Sequence, residues 1–182
     1  MDSWFLITYK VPSEPSKGRV AVWRRLKSLG AVYLQNSVCL LPKTDDHLRQ
    51  LKILDNEITE MNGEAVLLET VALDRTEQGK VIARFKADRD EEYRAFLERC
   101  AGFDAEIAKE IGLQRLTYAE LEEVDADMKK LKGWLEKIRK LDFYGAALAE
   151  ESTNRLLGCE ALLDSFAQLV FEAHNENQDQ SS

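Results

Sequence analysis

WFLITYKVPSEPSKGRVAVWRRLKSLGAVYLQNSVCLLP, residues 4–42, changes its hydrophobic periodicity three times, and those changes decide the fold. Trp4 to Val11 is a β-branched and aromatic run of the length expected for a buried strand. Pro12 to Pro15 ends it. Ser13 is the expected N-cap, with Glu14 and Pro15 in the first turn of a helix that runs to Leu29 and stops at Gly30. From Ala31 to Pro42, two short apolar runs are divided by Gln35, Asn36 and Ser37, a pattern that predicts two strands joined by a tight turn, with a single bent strand as the alternative.

Downstream, Thr44 is placed to cap a second helix, with Asp45 and Asp46 in its first turn and Leu48, Leu51, Leu54, Ile58 and Met61 at helical spacing. Asn62-Gly63 terminates that helix, and Glu64 to Leu73 is the next strand. The order strand, helix, strand, strand, helix, strand is a ferredoxin-like split βαβ arrangement, with both helices on one face of an antiparallel sheet. The other face needs a cover, either the rest of the chain or a second subunit.

Asp74 to Lys80 is polar and is expected to be a loop, and VIARFKA at 81–87 is expected to add a strand. Three helical stripes follow: Tyr93, Phe96, Cys100, Phe103 and Ile107; Leu121, Val124, Met128, Leu131, Leu135 and Ile138; Leu156, Cys159, Leu163, Phe166, Val170 and Ala173. Thr117 and Glu120 form a capping box before the second. The fold class is therefore α+β, a ferredoxin-like domain over 1–86 followed by a bundle of three long antiparallel helices over 87–174, with a disordered tail at 175–182. Apolar residues off the stripes (Trp134, Leu157, Leu162, Leu169) imply that the helices also touch the α/β domain or a second subunit.

The net charge is −8, but residues 1–75 carry ten Lys/Arg against ten Asp/Glu, so the acidity lies entirely in the remainder. Within the neutral part, Lys10, Lys17, Arg19, Arg24, Arg25 and Lys27 are opposed only by Glu14 over eighteen residues. This is the place for an anionic partner. At 3.6 residues per turn, Arg19 lies about 40° from Trp23 and inside an apolar arc with Val22, Leu26 and Leu29. Arg19 therefore either reaches an anion at the helix start or forms an internal salt bridge with Glu14 or a sheet carboxylate. The candidate anion- or phosphate-binding residues are Lys10, Arg19, Arg24 and Arg25, with Tyr9 and Trp23 beside them.

No phosphate loop, nucleophile elbow or metal-ligand spacing occurs, and His47 and His174 stand apart. The expectation is a non-enzyme without cofactor or metal. Cys39, Cys100 and Cys159 are far apart in sequence, each among apolar neighbours, and are expected to be buried reduced thiols without a redox pair. Neither a secretion signal nor a membrane span is present in the sequence, so a cytoplasmic protein is expected.

WFLITYKVPSEPS at 4–16, RVAVWRRLKSLGA at 19–31, YLQNSVCLLP at 33–42 and GEA at 63–65 resemble the N-terminal region of the chromate-resistance protein ChrB family. ARFKADRDEEY at 83–93, FLERC at 96–100 and WLEKIRKLDFYG at 134–145 are similar to it as well. The resemblance is distributed from Trp4 to Glu172 and has no single catalytic signature. It implies a role in chromate-responsive control of genes for an efflux transporter. Full-length members carry a further C-terminal domain beyond this region. The front half is also similar in plan to Cas2 nucleases and to a domain of PaaX-type repressors. Cas2 nucleases hold metal through an acid at the end of the first strand, where this chain has Tyr9-Lys10, so nuclease activity is not expected.

Three functions follow as expectations, in this order. The first is a regulatory or sensory protein that binds operon DNA or a chromate-like oxyanion through the first helix, acting as a homodimer. The second is a dimerising interaction module that binds no nucleic acid. The third is an enzyme, a Cas2-like nuclease or a chromate reductase.

Overall fold

The computed structural model describes all 182 residues and divides them into two compact units: Met1–Asp88 with Leu141–Gly145, and Arg89–Lys140 with Ala146–Ser182. In the first, β1 (Ser3–Lys10), α1 (Ser16–Ser28), β2 (Val32–Gln35), β3 (Val38–Pro42), α2 (Asp45–Glu60) and β4 (Glu64–Val71) follow one another. The sheet order is β2-β3-β1-β4, with every neighbour antiparallel. This is the ferredoxin-like plan.

Alternation along β1 sorts the core into two layers. Phe5 and Ile7 point to the helix side, where they pack with Val22 and Leu26 of α1 and Leu51, Leu54 and Ile58 of α2. Trp4 lies on the opposite side with Val32 and Leu40. That side is covered in part by this chain itself, through Val81, Ile82 and Phe85 and the returning Phe143 and Tyr144. Tyr144 accepts the Trp4 indole hydrogen bond at 2.9 Å. The cover stops short of β4, which leaves Val66 and Leu68 53% and 52% exposed.

Local chemistry explains the element ends. Thr44 accepts the backbone N–H of His47 at 3.0 Å and starts α2. Asn62 takes a positive φ of 62° after α2, and Gly63 follows because a side chain there would meet the Lys10 carbonyl oxygen at 2.6 Å. At Gly30, φ is +84° and an added Cβ would lie 2.8 Å from the Phe143 ring, so both backbone and packing require glycine.

Four expectations are corrected. α1 begins at Ser16 behind Pro15, not at a Ser13 cap, because a residue before proline is driven to extended backbone and Glu14 cannot enter a helical turn. VIARFKA is not a strand, and Asp74 to Lys80 is not a loop. Both belong to α3 (Arg75–Gly112), a 38-residue helix whose start is held by Asp74 accepting the Glu77 N–H at 2.9 Å. The supposed tail is helical as far as Asp179.

The second unit contains α3 from Arg89 onward, α4 (Tyr118–Lys140) and α5 (Ala149–Asp179). Thr117 caps α4 by accepting the Glu120 N–H at 3.2 Å. The three stripes meet in one core: Tyr93, Phe96 and Ile107 with Met128, Leu131 and Leu135, and with Phe166 and Val170. Trp134 and Leu162 pack against that core, Trp134 edge-on to Phe96 at 5.7 Å, whereas Leu157 is exposed.

Candidate functional site

α1 has no acidic residue in its first turn and no side-chain cap at its start. Its buried side is narrow, consisting of Val22 and Leu26. Gly18 lies close to α2, where an added Cβ would be 3.4 Å from Met61 Sδ. The remainder of the wheel faces outward. Trp23 is 50% exposed and Val20 41%, with Lys17, Arg19 and Arg24 exposed around them. The apolar arc expected to hold Arg19 is thus wider than the surface available to cover it.

The cations differ in how they are used. Arg19, Arg24, Lys17 and Lys10 make no ion pair with any carboxylate of the chain. Arg25 instead donates to Gln50 Oε1 at 2.8 Å, and Lys27 lies 3.3 Å from Asp88. Lys10 is paired in register with Glu64 and, by strand alternation, points to the sheet side away from α1. The structure therefore brings Lys17, Arg19, Trp23 and Arg24 onto one outer helix surface and leaves Lys10 and Arg25 outside it. An open, mainly apolar groove of about 540 Å³ adjoins the start of α1, between Val11, Pro12, Pro15, Ala21 and Met61, with Lys17 among its walls.

Elsewhere, polar residues are mostly accounted for. His47 Nδ1 is 2.7 Å from the Pro42 carbonyl oxygen, and its ring meets Phe143 edge-on. His174 lies against Tyr118 at 5.0 Å. Acidic residues on α4 pair along their own helix, Asp125 with Lys129 and Asp127 with Lys130. No group of three or more His, Cys, Asp or Glu side chains is gathered to hold a metal ion. No helix is long and apolar enough to cross a membrane.

All three cysteines are free and buried. Burial pushes the Cys39 thiol up to about 12, beside the hydrogen-bonded hydroxyls of Tyr9 and Tyr33 at 2.8 Å. Cys100 and Cys159 come together, which their separation of 59 residues concealed. The signal in the sequence was the place of each cysteine on the apolar stripe of a bundle helix, with a charged residue four positions away, Asp104 and Arg155.

These observations define a class: an α+β protein with a ferredoxin-like domain, a helical bundle and an unneutralised basic, aromatic face on its first helix. Residues 19–177 match the family described as "Protein ChrB, N-terminal", and the chain belongs to that family, whose members are related to chromate resistance. The relative named Protein ChrB from Cupriavidus metallidurans (strain ATCC 43123 / DSM 2839 / NBRC 102507 / CH34) is 26% identical over 144 residues. The match covers 78% of this chain and 40% of that protein, so the chain spans well under half of the relative's length.

Proposed function

We propose that this chain is a non-catalytic regulatory protein of chromate resistance whose α1 surface binds the phosphates of duplex DNA. The observation that carries the proposal is the exposed Trp23 flanked by Arg19 and Arg24, two guanidinium groups without a carboxylate partner. Unpaired arginines beside an exposed aromatic ring suit a phosphate backbone, with the ring free to lie against sugar or base. A small oxyanion such as chromate needs donors that converge, and these do not. Lys17 and Arg24 are about 10 Å apart along the helix axis, whereas duplex DNA offers a charge every 3.4 Å along each strand. The spacing favours an extended polyanion over one small dianion.

The test is a titration of the protein with duplex DNA from the operon's upstream region at about 50 mM salt, following tryptophan fluorescence. Trp4 is buried and Trp134 is partly buried against the bundle core, so a change on binding reports chiefly on the exposed Trp23. Saturable quenching that millimolar chromate or sulfate does not abolish agrees with the proposal. No binding at that salt, or displacement by stoichiometric chromate, refutes it.

A second reading, a dimerising module, is favoured by β4, an edge strand with Val66 and Leu68 half exposed. Light scattering distinguishes it: a strict monomer at high micromolar concentration excludes a dimer built on that face.

A further inference from the structure

Cys100 and Cys159 meet where α3 packs on α5, and each helix adds a charged residue one turn away: Asp104 on α3, Arg155 on α5. The Cys159 thiol is 3.3 Å from Asp104 Oδ1 and 3.8 Å from the Cys100 carbonyl oxygen. Each thiol also contributes to the electrostatic surroundings of the other. Arg155 Nη2 donates to Asp104 Oδ2 at 2.5 Å, and its Nη1 lies 3.7 Å from Cys159 Sγ. Both cysteines are fully buried, while the Arg155 and Asp104 side chains are 34% and 31% exposed. The ion pair is thus the partly exposed part of a site whose sulfurs are buried. Packing alone asks only for small apolar residues here, and does not call for a carboxylate directed at a thiol.

We propose that Cys100 and Cys159 are an oxidisable dithiol, a site where a two-electron oxidant of the peroxide class closes a disulfide between α3 and α5. The inference is independent of DNA binding. Asp104 takes the Cys159 proton, and the thiolate, beside the Arg155 guanidinium, attacks one peroxide oxygen. The O–O bond breaks, and the departing hydroxide takes the proton from Asp104 and leaves as water, with Cys159 now a sulfenic acid. The Cys100 sulfur then attacks Cys159 Sγ. The S–S bond forms, the S–O bond breaks, and the second hydroxide leaves as water with the Cys100 proton. Two thiols and one peroxide give one disulfide and two waters, with both electrons passing from sulfur to oxygen. Burial raises both thiols above their ordinary value, so the site reacts when the ion pair opens and not continuously. Cys39 has no second sulfur and no carboxylate hydrogen-bonded to it.

The test treats the full chain with hydrogen peroxide, alkylates the remaining thiols, and maps tryptic peptides without reduction. Cleavage after Arg99, Lys109 and Arg155 yields Cys100–Lys109 and Leu156–Ser182. These should appear joined, two hydrogens lighter than their sum, while Cys39 is recovered alkylated. Asp104→Asn should slow the joining at least about tenfold. The proposal is overturned if Cys39 is consumed as fast or enters a link, if one sulfur is oxidised and no link forms, if links form only between chains, or if Asp104→Asn reacts at the wild-type rate.

Discussion

Replacing Arg19 and Arg24 together by glutamine removes two of the three unpaired cations on the outer surface of α1, leaving Lys17. Both side chains are exposed and support no internal contact, so stability should change by no more than about 0.5 kcal/mol. Binding should change in a way that counts charges. Three phosphate contacts give a slope of log affinity on log salt near about −2.7, at about 0.9 per contact. Raising salt from about 50 to 200 mM then weakens the wild type about 40-fold. With Lys17 alone the slope is about −0.9, and the same change costs only about 3- to 4-fold. Fluorescence anisotropy of labelled duplex DNA at four salt concentrations measures both slopes, and urea denaturation of the two proteins checks that the fold is intact. Parallel lines for wild type and variant would show that these arginines meet no phosphate, however much the overall affinity fell.

Three further outcomes follow from the fold. Gly30→Ala should destabilise the protein by about 1 to 3 kcal/mol in urea, because a Cβ at φ +84° is strained and meets the Phe143 ring at 2.8 Å. Thr44→Ala should cost about 1 kcal/mol in the same assay through loss of the bond to the His47 N–H, while Thr44→Ser retains most of it. Cys39 is held above its ordinary value of 9.0, up to about 12, so it stabilises the fold fully below pH 9 and loses that contribution as pH rises toward 12. Between pH 8 and 10.5 the wild type should therefore lose on the order of 1 to 2 kcal/mol more than Cys39→Ala, and equal losses would show that the thiol does not resist ionisation.

How much of this was legible in the sequence depended on the range of the determining interaction. The Thr44 and Thr117 caps and the Asn62-Gly63 stop involve partners within a few residues, and a one-dimensional reading finds them. VIARFKA misled because Val81, Ile82 and Phe85 satisfy helical spacing as well as strand composition; the arbiter is the cap at Asp74, in a segment too polar to attract notice. The basic cluster of α1 was visible, but not its facing. A helical wheel gives relative angles, whereas the covered arc depends on tertiary partners, here the sheet residues Phe5 and Ile7 and Leu51, Leu54 and Ile58 of α2. Arg25 and Lys10 were drawn into the candidate site by sequence proximity, and Gln50 and strand alternation take them out of it. The Cys100 and Cys159 pair needed tertiary packing of two separate helices, which spacing along the chain does not contain.

A chain with net charge −8 should repel DNA, and the local argument must survive that objection. The two effects differ in reach. Repulsion by the acidic helical residues acts through solvent, and at about 0.1 M salt it is screened over roughly 10 Å. Three of those acids, Asp125, Asp127 and Glu136, are also already paired with lysines on their own helix. A guanidinium that meets a phosphate does so at hydrogen-bonding distance, inside any screening length, and gains bidentate geometry that a diffuse field cannot oppose. Net charge therefore slows the approach at low salt, and the unneutralised side chains of α1 decide what binds once contact is made. Because the acidic residues act on the approach and the arginines on the contact itself, charge reversal on α4 should alter the association rate, and the affinity only by that factor, while leaving the dissociation rate nearly unchanged.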